Sequence, residues 1–157
     1  MRVGQPMSFD VFFFSYLDGK PVPFPLAIVE DALGRFADRN DPTCWALKFP
    51  DGGWSDLYLR DAAEISHFCL NRPASSWQSW LGVFEILRAT RGILSWPSGG
   101  SCVTDASVVP RIDFVDCCMP VTVVDALMQI WTRIQCDWPK ATRLTVGHCR
   151  LSGAPPS

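Results

Sequence analysis

Charge is scarce in this chain. Only 19% of its 157 residues are Asp, Glu, Lys or Arg, and the formal net charge is -2. That balance removes the general electrostatic case for binding nucleic acid or an anionic membrane surface. No run approaches the ~18 consecutive apolar residues of a membrane span. No Cys-x-x-Cys pair occurs, and no Gly-Lys-Ser/Thr ending completes a phosphate-binding loop after Gly99-Gly100. Met1-Arg2 makes a positive start, but Asp10 interrupts the apolar run a signal peptide needs, and no small-residue cleavage site follows. Internal repeats and low-complexity blocks are missing too. These absences predict one soluble, cytoplasmic domain over residues 1–150, with 151–157 (Gly153-Ala154-Pro155-Pro156-Ser157 at its end) as a loose tail.

What is abundant is apolar. Hydrophobic residues make up 48%, with seven Trp and ten Phe, and a chain of this length buries roughly 70% of its unfolded surface. The cysteines are Cys44, Cys69, Cys102, Cys117, Cys118, Cys136 and Cys149, seven in all. An odd number without paired spacings reads as reduced thiols. Adjacent Cys117 and Cys118 do not chelate one tetrahedral ion together, so neither a metal site nor a cofactor is expected.

The chain is organised around Ser8–Leu17. On a strand, Phe9, Val11, Phe13 and Leu17 fill one side and Phe12, Phe14 and Tyr16 the other. A strand apolar on both sides belongs inside a sheet, covered above and below. Pro25 then opens a helix. Leu26, Val29, Leu33 and Phe36 recur at helical spacing, and the helix is expected to stop near Asn40-Asp41-Pro42. Cys44–Phe49 and Trp54–Leu59 alternate around Pro50-Asp51-Gly52-Gly53, which is a hairpin pattern. Ile65–Leu70 is a weaker strand.

Ser75-Ser76-Trp77-Gln78 reads as a capping box with Ser75 at the N-cap. Trp77, Trp80, Leu81, Phe84 and Leu87 continue it as one apolar stripe, and Gly92 supplies a left-handed cap. Ile93–Trp96 is a short strand to which Cys102-Val103-Thr104 pairs back, and Thr104-Asp105 caps a single turn. Thr122–Ile134 has helical spacing at Leu127, Ile130, Trp131 and Ile134. Pro120–Val124 reads equally as a strand. The expected fold is α+β: a single mostly antiparallel sheet with helices packed against it.

Three kinds of site can be weighed. Cys102 follows Gly99-Gly100-Ser101, a loop whose amides suit an oxyanion, and a small cysteine-dependent enzyme would need His67 or His148 as its base. Neither histidine carries a neighbouring signature, and the glycines fit a hairpin turn without help. Asp51, Asp56, Asp61 and Glu64 gather in one segment, yet a carboxylate acid needs a buried position that turn and strand-edge residues do not offer. No catalytic residue is therefore assigned. Read as a surface, the same segment is more informative: four acids stand against one base, Arg60, with Trp54 and Tyr58 interleaved. Aromatic anchors amid one charge sign suit a basic protein partner, and the bland alternative is a solvated hairpin edge. The candidate partner-binding residues are Asp51, Trp54, Asp56, Tyr58, Asp61 and Glu64.

Phe9-Asp10-Val11-Phe12, Gly19, Pro23-Phe24-Pro25, Phe49-Pro50-Asp51-Gly52, Ser55-Asp56-Leu57-Tyr58-Leu59 and Gly92-Ile93-Leu94-Ser95-Trp96-Pro97 together resemble small bacterial proteins, some of which look like immunity proteins of polymorphic-toxin systems. The resemblance covers residues 8–112. It implies a binding protein with no chemistry of its own, which blocks a cognate toxin by steric occlusion.

Overall fold

The computed structural model describes residues 10–97, 100–112 and 117–141. In chain order the main elements are β1 (Asp10–Phe14), α1 (Ala27–Leu33), β2 (Ala37–Asp41), β3 (Cys44–Lys48), β4 (Trp54–Tyr58), β5 (His67–Asn71), α2 (Trp77–Thr90), β6 (Ile93–Ser95), β7 (Gly100–Val103), β8 (Cys117–Pro120) and α3 (Val124–Ala141). The strands form one eight-stranded sheet in the order β8-β7-β6-β1-β5-β4-β3-β2. Every pairing is antiparallel except β7 with β8. The fold is α+β.

β1 runs through the interior of the sheet because it carries ladders on both sides, Phe13 facing Phe68 across one and Leu94 across the other. Its odd-numbered residues and those in register with them look into the core. Val11, Phe13, Trp45, Leu47, Leu57, Phe68, Leu70 and Leu94 are buried in one cluster with residues of all three helices, among them Val29, Leu33, Trp80, Val83, Leu87, Leu127 and Trp131. The helices thus share one face. The expectation that β1 is covered on both sides is half right: Val11 and Phe13 are buried, whereas Phe12 and Phe14 are only half-buried. Phe9 lies outside the described residues.

On the other face, Ile93 and Val103 are covered by Leu17 and Val108. Val108 belongs to a 3-10 turn, Ala106–Arg111, opened by the Asp105 carboxylate accepting the Ser107 N–H at 2.9 Å. Ion pairs Arg111–Asp18 and Arg91–Asp105 hold this small lid in place.

The first helix is shorter than its spacing predicts. It ends at Leu33, passes through one 3-10 turn (Gly34–Phe36), and the chain then pairs as β2 with β3. Phe36 turns onto Phe49 with ring centroids 5.0 Å apart, and Arg39 reaches back to Glu30 at 2.7 Å. These contacts draw Ala37–Asp41 to the sheet, although its side chains show no strand pattern. Asp38 accepts the Asn40 N–H, and Asp41 accepts both the N–H and the hydroxyl of Thr43.

The hairpin lies where its turn residues place it: the Phe49 and Gly53 backbones bond across Pro50-Asp51-Gly52. Its second strand is not an edge, since β4 sits between β3 and β5. α2 starts one residue later than the capping pattern suggests. Ser76 is the N-cap, and its hydroxyl donates to Gln78 Oε1 at 3.1 Å instead of receiving a backbone N–H. At the other end Arg91, at φ +53°, takes the left-handed position expected of Gly92. Gly92 serves close packing, because a Cβ there would collide with the Phe13 ring. In the last third the helical reading holds, with α3 beginning at Val124, whereas the strand expected over Pro120–Val124 does not form: β8 lies earlier, at Cys117–Pro120. The boundary expected at residue 150 falls outside the described residues.

At Gly82 α2 packs tightly against the end of α1. A Cβ at this position would overlap the Leu33 side chain and lie 3.1 Å from the Ala32 carbonyl. In an open helix Gly→Ala gains about 1 kcal/mol. Here Gly82→Ala is expected to lose about 1–3 kcal/mol by overpacking, read as a lowered urea midpoint at unchanged slope.

Candidate functional site

Because all three described helices lie on one side, none of them covers the opposite side of β1, β3, β4 and β5. Residues paired across an antiparallel ladder share a face, so the register fixes what is displayed. One transverse row reads Cys44, Tyr58, Cys69 and Phe12 from β3 to β1, and runs on to Ser95 and the buried Ser101 under the covered end of the face. The next row reads Ala46, Asp56, Asn71 and Asp10. Trp54, paired with Lys48, lies one row further along. Trp54 and Tyr58 are 50% and 47% exposed, the largest exposures of any aromatic in the described sheet. Phe12 and Phe14 add a half-buried pair, stacked at 6.3 Å and 17°.

Polar groups on this face bind one another. The Asn71 amide donates to the Asp10 carboxylate, Arg72 Nη2 lies 3.0 Å from Asp56 Oδ2, and the Arg72 guanidinium stacks over Trp54 at 4.3 Å. A hydrogen bond with Cys44 raises the Tyr58 phenol pKa, and the Cys44 and Asp56 charges push it the same way. Burial lifts the Cys69 thiol to about 11, with Asp10 adding to the effect.

Of the six residues singled out in the sequence, three stand together. Trp54, Asp56 and Tyr58 alternate along β4 and all project from the open face. Asp56 is a paired carboxylate, not a free one. Asp51 is exposed in the hairpin turn, where it accepts the Gly53 N–H at 3.0 Å. Asp61 and Glu64 are exposed beyond the other end of β4, with Glu64 in a two-residue bridge to Pro25. The acids therefore rim the strand at both ends and do not form one cluster. Sequence reasoning missed Phe12, Phe14, Asn71 and Arg72. The two phenylalanines read as core, and Arg72 carries no local pattern.

Cys102 is fully buried on the helix-covered face, and burial drives its thiol to about 12. His67 is exposed at the end of β5 in register with Phe14, on the opposite side of the sheet. The two do not form a nucleophile–base pair, and His148 lies outside the described residues. Among the described residues no group of three or more His, Cys, Asp or Glu side chains is placed to hold a metal ion. No described helix is long and apolar enough to cross a membrane.

No protein-family model matches the chain, and no curated protein or solved structure matches it.

The thiol geometry predicts its chemistry. At pH 8 a thiol of pKa about 12 holds so little thiolate that Cys102 should alkylate with iodoacetamide more than about a thousandfold slower than an ordinary cysteine. Peptide mapping of the labelled native protein measures this, and fast selective labelling of Cys102 would restore the cysteine-enzyme reading.

Proposed function

We propose that this chain is a cytoplasmic protein-binding module, which neutralises a cognate toxin as an immunity protein by lying across its active cleft. The observation that carries the reading is the uncovered sheet face centred on β4, with Trp54 and Tyr58 half exposed beside Phe12 and Phe14. An aromatic stays half wet on a rigid sheet at a cost that a bound partner removes, and such residues dominate binding energy when an interface closes over them. The fitting partner is basic. From Asp51 to Glu64 four acids meet one base, and with Asp10, Asp38 and Asp41 set against Arg39, Lys48 and Arg72 on the neighbouring elements the balance is seven acids to four bases. That charge raises the encounter rate more than the final affinity. Occlusion asks nothing catalytic of the chain, in keeping with a face built of aromatic rings, internally paired polar groups and thiols held protonated by burial.

The test is growth rescue. The product of the gene immediately upstream is expressed with and without this chain, and the complex is purified. Rescue is expected, with binding weakened tenfold or more by Trp54→Ala combined with Tyr58→Ala, while circular dichroism reports an intact fold. Continued toxicity, or affinity indifferent to the double substitution, would remove this surface from the function.

A further inference from the structure

Arg72 follows β5 directly and sits at φ +48°, a left-handed conformation that side chains larger than glycine rarely adopt. Its backbone is bolted to β4. The fully buried Ser55 hydroxyl donates to the Arg72 carbonyl at 3.2 Å and accepts the Ala74 N–H at 2.8 Å. From that fixed point the side chain folds back over the open face and meets three different groups. Its guanidinium carbon is 4.3 Å from the centre of the Trp54 ring, Nη2 is 3.0 Å from Asp56 Oδ2, and Nε is 3.1 Å from Asn71 Oδ1. Asn71 is itself oriented, because its amide nitrogen donates to the Asp10 carboxylate.

A π face for the flat cation, a carboxylate for one edge and a carbonyl for Nε together recognise guanidinium in preference to ammonium. Lysine has neither a plane to stack nor an Nε to donate. The grip on Arg72 is also loose. Its side chain is 52% exposed and that of Asp56 20%, and surface ion pairs of this kind exchange readily. Trp54 likewise remains half open with the arginine in place.

We propose that Trp54, Asp56 and Asn71 form a guanidinium-binding site, filled by Arg72 in the free protein and entered by an arginine side chain of the partner when the complex forms. The proposal rests on the protein-binding reading and names what the basic partner presents. Arg72 then acts as an internal competitor. It keeps the aromatic and the carboxylate organised, and it is turned out into solvent as the partner's arginine arrives.

Arg72→Gly empties the site and suits the left-handed backbone. The variant and the original protein are each titrated with acetyl-Gly-Arg-Gly-amide and with acetyl-Gly-Lys-Gly-amide, following the Trp54 indole N–H by NMR, with the resonance assigned through Trp54→Phe. A saturable shift is expected in the variant with the arginine peptide, about fivefold or more tighter than in the original protein and tighter than with the lysine peptide. Arg72→Asn, another residue at home at positive φ, gives the same comparison should glycine loosen the turn. Equal binding by variant and original, equal binding of the two peptides, or no saturable shift would overturn the proposal. No toxin enters this experiment. Its failure leaves the occlusion reading to be judged by growth rescue, and failed rescue leaves the arginine site to be judged here.

Discussion

The contact on which the structure turns is the stack of Phe13 on Phe68, two rings in register across adjacent central strands, 4.6 Å apart and 1° from parallel. Phe24 meets Phe13 edge-on at 5.5 Å and 78°, and Gly92 leaves its Cβ space to the same ring. Once Phe13 points inward, the two-residue period of a strand decides the direction of every other side chain on β1. The ladders carry that decision outward from strand to strand. Phe12, Cys69, Tyr58 and Cys44 face away from the helices because Phe13, Phe68, Leu57 and Trp45 face toward them. The candidate site is thus the obverse of the core.

Charge does a second job at the bends. Three described residues other than glycine have positive φ, namely Asp18, Arg72 and Arg91, and each belongs to an ion pair: with Arg111, Asp56 and Asp105 respectively. Hydrogen bonds hold the Asp18 carboxyl below its ordinary pKa through Arg111, and that of Asp105 through Ser107 and Arg91. Tight turns that glycine would make freely are made here by residues whose side chains then reach across to a neighbouring element. The sheet face, the 3-10 lid over Ile93 and Val103, and the turn after β5 are tied together in this way.

Much of this was legible in the residues. α2 announced itself through the stripe from Trp77 to Leu87, and the hairpin through Pro50-Asp51-Gly52-Gly53 between alternating runs, because both signals are local. β2 was illegible, since Ala37-Asp38-Arg39-Asn40-Asp41 becomes a strand only by pairing with Cys44–Lys48. The faces of β1 are hard to tell apart in the sequence for a related reason. Alternating phenylalanines look alike whether or not a helix covers them. In the site, the spacing of Trp54, Asp56 and Tyr58 placed them on one side of one strand. Asp51, Asp61 and Glu64 are near one another only in sequence, and a strand five residues long sets them apart. The role of Arg72 depends on a backbone angle and on a hydroxyl seventeen positions away, and neither leaves a trace in composition.

The acids of β2 limit how molecules of this protein can meet. That strand forms one margin of the sheet, with a break in its register between Asp38 and Asp41, and carboxylates already occupy the amides of Asn40 and Thr43. A neighbouring strand arriving at this border meets a kinked margin bearing Asp38 and Asp41, with the Asn40 donor of the strand and the Thr43 donor of the turn after it already engaged, which opposes sheet-to-sheet extension from one copy to the next. Any companion meeting this end of the molecule then engages it through side chains, where shape and chemistry choose and main-chain templating does not.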